Sequence, residues 1–186
     1  MEYLDICGED GIPTGAVIER SAAHENGILH RTAHVWVVRE REGRYQVLLQ
    51  KRSEEKESFP GQYDTSSAGH IPAGSEPLPS ALRELREELG IEAGPEQLRY
   101  AGCFRIRYEK VFHGALFRDN EFTSVYVYRE PVDAASLRLQ RGEVDEVRWF
   151  DLDAVYEEIR ISRDRFCVPA QGLDVLIGYL RGGRPA

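Results

Sequence analysis

The segment Gly69–Ile91, GHIPAGSEPLPSALRELREELGI, constrains this chain more than any other stretch. Leu82, Leu85 and Leu89 fall at i, i+3 and i+7, which makes one apolar stripe of a helix over Ala81–Leu89. Pro77 and Pro79 lie just ahead, where a first helical turn tolerates a missing N–H. Gly90 stands where a left-handed residue ends a helix. The leucine stripe needs a partner layer, and the opposite face carries an electrostatic problem. Glu84, Glu87 and Glu88 at i, i+3 and i+4 share one face, and Glu87 and Glu88 occupy the last turn, where the helix dipole disfavours negative charge. Each like-charge pair costs about 0.2–0.5 kcal/mol and each misplaced charge about 0.3–1 kcal/mol. A solvated face is one resolution, with Arg83 paired to Glu87 at i+4 and Arg86 adding a second positive charge. A divalent cation is the other, because hard cations such as Mg²⁺ take carboxylate oxygens and keep waters and substrate phosphate oxygens. The glycine-rich loop before the helix and the apolar stripe behind it favour the cation.

Around this helix the chain alternates between strand and helix patterns. Residues 3–19 read as a hairpin, with Tyr3–Cys7 and Gly15–Glu19 flanking the turn residues Gly8–Gly11. Thr32–Arg39 reads as a buried strand and pairs with Tyr45–Lys51 through a turn at Gly43. Tyr63–Ser67, Gly102–Tyr108, Phe122–Arg129 and Val144–Phe150 are further strand-like runs. Arg107–Asn120 reads as a long loop between two of them, with His113 as a loop residue. Asp153–Ile159 and a C-terminal helix at about 170–181 follow, and Gly182–Ala186 is expected to fray. Strands before and between helices imply an α/β layered fold. With no repeats and no low-complexity linker, residues 1–186 are expected to form a single domain.

Lys+Arg 24 against Asp+Glu 32 leaves a net charge of −8, which argues against a nucleic acid polymer as partner. No apolar run approaches the roughly 20 residues of a membrane helix. The acidic N-terminus lacks the hydrophobic region of a secretory signal. Cys7, Cys103 and Cys167 are isolated and odd in number, as expected of reduced thiols in a cytoplasmic protein.

The helix segment resembles the box of the Nudix hydrolases, G-x5-E-x7-R-E-U-x-E-E-x-G-U, where U is bulky and aliphatic. Gly69, Arg83, Glu84, Leu85, Glu87, Glu88, Gly90 and Ile91 match at the right spacing. One position departs: Ser75 stands where the box has a glutamate that supports the loop and the arginine in the family. LLQKRS (Leu48–Ser53), FPGQYD (Phe59–Asp64) and EVDEVRWFDLDAV (Glu143–Val155) also look like Nudix segments. The resemblance implies an α/β/α sandwich with a mixed β-sheet, and hydrolysis of a nucleoside or other organic diphosphate. By the same resemblance, Glu84, Glu87 and Glu88 hold Mg²⁺ or Mn²⁺, Arg83 orients them, and the Gly69 backbone approaches the substrate. Lys51 and Arg52 are candidate phosphate contacts, with an exposed strand end as the plainer reading. A homodimer is the expected assembly if the protein oligomerises.

GIPTG (Gly11–Gly15), Ala23–His24 and Leu29–His30 resemble the branch containing the isopentenyl diphosphate isomerases. In that branch metal-binding histidines match His24, His30 and His70, and an acidic pair aligns with Asp119 and Glu121. A second metal site through His24, His30 and His70 is therefore implied, against ordinary structural histidines flanking a strand. The isomerase also uses a cysteine two residues before the histidine that matches His70, and this chain has Ala68 there. Alanine has no acid–base group, so isomerase chemistry loses one of the two partners it needs. The expectation is an isomerase-like scaffold carrying hydrolase chemistry; the alternatives are an isomerase-like enzyme or a non-catalytic Nudix binding module. Glu121 is the first candidate general base and Glu84 the second.

Overall fold

The computed structural model describes residues 1–182. In chain order these form β1 (Tyr3–Cys7), β2 (Pro13–Glu19), α1 (Arg20–Asn26), β3 (His30–Arg41), β4 (Arg44–Arg52), β5 (Tyr63–Asp64), β6 (Ser67–His70), α2 (Pro77–Leu89), β7 (Leu98–Phe112), β8 (Ala115–Tyr128), β9 (Val144–Asp151), α3 (Leu152–Ile161) and α4 (Ala170–Leu180). Of the tail expected to fray, Gly182–Ala186, residues 183–186 lie outside the described residues. No described helix is long and apolar enough to cross a membrane.

β1 and β2 form a separate two-stranded sheet, and the other seven strands form one mixed sheet around β3. β3 runs parallel to β8, with His30 opposite Glu121 and Val37 opposite Tyr128. Its other edge is shared: β6 pairs antiparallel with Thr32–Val35, and β4 pairs with Val37–Arg41. Because strand side chains alternate, β3 feeds both layers. Ala33, Val35 and Val37 join Leu48, Leu85 and Leu89 under α2. Trp36 and Val38 join Val47, Leu49, Val125 and Val127 under α3 and α4. The α/β/α layering with a mixed sheet follows from this alternation.

Two local readings are corrected. Arg107–Asn120 is no loop: β7 and β8 continue as one long antiparallel hairpin out to Phe112 and Ala115. Its two-residue turn, His113–Gly114, has positive φ at both positions (49° and 81°), the conformation that matches strand twist. Glu121 therefore lies inside β8 and not at a loop–strand junction. Residues 20–26 add a short helix, α1, closed by Gly27 at φ 63°. It carries His24 onto the sheet.

Candidate active site

β6 is a four-residue strand with chemistry on both sides. His70 and Ala68 pair with Thr32 and His34, and so share their face of the sheet; Ser67 and Gly69 pair with Val35 and Ala33 on the α2 side. Glu84 closes directly on Gly69, where a Cβ would lie 2.2 Å from the Glu84 carboxyl carbon. Only glycine admits this approach. Arg83 holds Glu84 at 2.7 Å and Glu87 at 3.1 Å, and donates to the His70 carbonyl at 3.3 Å. Glu88 is buried and accepts from the Ala68 N–H at 3.1 Å and from Gln50 at 3.3 Å. Glu87 faces solvent. Burial pushes Glu84 up to about 6, with Arg83 opposing the rise, and pushes Glu88 up to about 8.

The buried Glu88 has a measurable consequence. Its folded pKa exceeds the ordinary 4.5, so between 4.5 and about 8 the folded chain binds more protons than the unfolded chain. Stability contributed by the neutral carboxyl is present below that window and lost as pH rises through it. The lowered histidines act in the opposite sense below 6.5, and the raised Glu121 acts in the same sense as Glu88, so between pH 6.5 and about 8 it is the comparison with Glu88→Gln that isolates Glu88. In metal-free protein, the melting temperature of the wild type should fall relative to Glu88→Gln across that window. Parallel curves for the two proteins would refute a neutral buried Glu88.

On the other face of β6, α1, β3, β6 and β8 bring together His24, His30, His70, Asp119 and Glu121. Among the described residues, the His24–His30–His70 ligand atoms lie within 4.8 Å of one another, as do those of His30–Asp119–Glu121. His24 Nε2 is 3.1 Å from His70 Nε2, and His30 Nε2 is 3.8 Å from Glu121 Oε1. His70 Nε2 is 3.9 Å from the same oxygen, and Thr32 donates to Glu121 Oε2 at 3.1 Å. His30 Nδ1 sits 2.8 Å from the Ile28 carbonyl, which fixes its proton there and leaves Nε2 with a lone pair facing the cluster. His24 Nδ1, His30 Nε2 and Asp119 Oδ1 are buried without hydrogen-bond partners.

Burial lowers all three histidines, His24 to about 4, and raises Asp119 to about 6 and Glu121 well above the ordinary carboxylate range. Asp119 adds to the rise at Glu121. Neutral imidazoles with unused lone pairs beside carboxyl groups form a nitrogen–oxygen donor set that fits a divalent metal ion. Glu84, Glu87 and Glu88 form no equally tight group among the described residues.

The proposed phosphate contacts separate. Arg52 is held by Asp64 at 3.2 Å and by the Ser58 carbonyl and hydroxyl at 3.0 Å, so its guanidinium braces the β4–β5 loop. Lys51, half-buried at the end of β4, pairs in register with Tyr63 and Glu146. Gln50, which supports Glu88, carries no signal in the sequence, and Tyr108 lies opposite Asp119.

A family model described as the NUDIX domain matches residues 28–168. Nudix hydrolase 3 of Arabidopsis thaliana is 39% identical over 161 residues, a match spanning 86% of this chain but 20% of the Arabidopsis protein. Isopentenyl-diphosphate Delta-isomerase of Escherichia coli is 28% identical over 159 residues, 85% of this chain and 81% of that enzyme. A crystal structure from Deinococcus radiodurans shares the fold with a TM-score of 0.68 at 19% identity, covering 96% of this chain and 99% of the other. With the domain model spanning β3 to the start of α4 and the box residues laid along β6, its loop and α2, the chain belongs to the Nudix family, in a branch similar to the isopentenyl diphosphate isomerases.

Proposed function

We propose that this Nudix protein hydrolyses a diphosphate linkage in a nucleoside or other small organic diphosphate derivative, with Mg²⁺ or Mn²⁺ as cofactor. The observation that carries the reading is the closure of Glu84 and Glu88 on β6 around Gly69, with Arg83 fixing Glu84 from the side. A bound divalent cation supplies charge neutralisation at the diphosphate and a more acidic water. The chain's own residues do the rest. Glu84, Glu87 and Glu88 offer carboxylate oxygens from α2. Arg83 ties α2 to the His70 carbonyl and so keeps the helix registered on β6. Gly69 leaves the backbone open to the substrate, and Lys51 is a phosphate contact. Arg52 is withdrawn from that role by Asp64 and Ser58. Glu121, held by Thr32 and surrounded by His30 and His70, accepts the proton from the attacking water, with Glu84 as the alternative base. His24, His30 and His70 form a second metal site, which Glu121 joins in the case where Glu84 is the base.

The isomerase reading is supported by the histidine–carboxylate cluster and by the 28% identity to an isopentenyl-diphosphate isomerase, and Ala68 stands against it. Ala68 lies opposite His34 on the face of that cluster, and its methyl group can neither give nor take a proton. Isopentenyl diphosphate incubated with the protein and Mg²⁺ is followed by ¹H and ³¹P NMR. No dimethylallyl diphosphate should form, and any turnover should appear as phosphate release. Interconversion of the two isomers at ordinary enzymatic rates would overturn the hydrolase assignment.

A further inference from the structure

The first strand of the chain reaches into the box through a buried ion pair. Asp5 and Arg31 are 6% and 8% exposed, and their charged atoms lie 2.7 Å apart. The same Asp5 oxygen accepts the Gly74 N–H at 2.9 Å, and Arg31 donates to the Ser75 carbonyl at 2.9 Å. Backbone contacts run beside them: Ala73 N–H donates to the Tyr3 carbonyl at 2.8 Å, Ile71 N–H to the Arg31 carbonyl at 3.0 Å, and Leu4 bridges to Pro72. Ser75 takes part through its backbone. Thus the loop Ile71–Ser75 between β6 and α2 is held from β1 and β3.

The consequence falls on α2. Glu76 at its N-terminus makes no side-chain cap, so the loop before it sets where the helix starts. Glu84 and Glu88 ride on that helix. A carboxylate that takes a charge-assisted bond from arginine and a second from a backbone N–H is a strong, directional anchor. We propose that Asp5 is a positioning residue for the Nudix box, holding from β1, through Arg31 and the Gly74 amide, the loop that a box glutamate at position 75 would support. This rests on the reading of Glu84 and Glu88 as the diphosphate site.

Asp5→Asn keeps the shape and one acceptor but leaves Arg31 buried without its counter-charge. The amides of Gly74 and Ser75 should then lose hydrogen-exchange protection, and kcat/KM or apparent Mg²⁺ affinity should fall roughly 10–100-fold, the usual effect of removing a group that orients metal ligands. Adding Ser75→Glu to Asp5→Asn should restore both. Leu173→Ala, a core change on the buried face of α4, should lower stability without altering Mg²⁺ dependence. Wild-type Mg²⁺ dependence and wild-type loop protection in Asp5→Asn overturn the proposal. So does a Leu173→Ala variant that reproduces the Asp5→Asn shift in Mg²⁺ dependence. If Asp5→Asn does not fold, Asp5→Glu, which displaces the charge by one methylene, carries the same test. A wild type without metal-dependent turnover removes the reading of the site, whereas unchanged exchange at Gly74 removes the role of Asp5 alone.

Discussion

Glu121→Gln should lower kcat by roughly 10²–10⁴-fold, the usual worth of general-base assistance. Glutamine preserves the shape of the side chain and an oxygen for the Thr32 hydroxyl, so the β3–β8 contact survives the change. It removes the proton acceptor from a buried position opposite His30, within 4 Å of two imidazole nitrogens. KM should move much less, because the group acts mainly in the transition state. If Glu121 serves instead as a metal ligand, the loss should be partly restored at high Mg²⁺. A mutant within about threefold of wild type at saturating metal would remove Glu121 from the chemistry and leave Glu84 as the base.

Glu84→Gln and Glu88→Gln should each cost at least about 10²-fold in kcat/KM, since metal-assisted charge neutralisation is worth several kcal/mol and each 1.36 kcal/mol is tenfold. The two variants should differ in stability. Glu84 is half-buried and answered by Arg83, so its loss should be nearly neutral for folding. Glu88 is buried with only neutral donors beside it, so glutamine should make the metal-free protein more stable at pH 8 while removing activity. That opposition, greater stability with less activity, is the behaviour of a residue retained for metal binding. Full activity in both variants would contradict the assignment of the box.

The elements that carry the box were legible because their signals are local. The leucine stripe, the paired prolines and Gly90 delimit α2 to within one turn, since each acts within a few residues. β3 and β4 declare themselves through Val35–Val38 and Val47–Leu49. What the sequence hid is long-range. His30 meets Glu121, 91 residues further on, because β3 and β8 run parallel; no spacing encodes that register, and only the family resemblance pointed to the histidines and the acidic pair. Asp5 and Arg31 are two ordinary charges until β1 is laid beside the loop. Arg52 looked like a free cation because Asp64 approaches it only after the β4–β5 loop folds back. The β7–β8 hairpin is hidden for a different reason: charged side chains such as Lys110 and Arg118 on a strand pair point to solvent without breaking it, so the stretch reads like a solvated loop. The helix α1 was hidden by its seven-residue length, too short for periodicity to register.

Metal-dependent hydrolysis of a diphosphate is measured by turnover of a panel of nucleoside and isoprenoid diphosphate compounds, reading phosphate and nucleotide release with Mg²⁺, with Mn²⁺ and with EDTA. At least one compound should be cleaved at a diphosphate linkage with Mg²⁺ or Mn²⁺, and the cleavage should be abolished by EDTA and restored by added metal. Cleavage that persists undiminished in EDTA, or no cleavage of any panel member with either metal, would contradict metal-dependent hydrolysis.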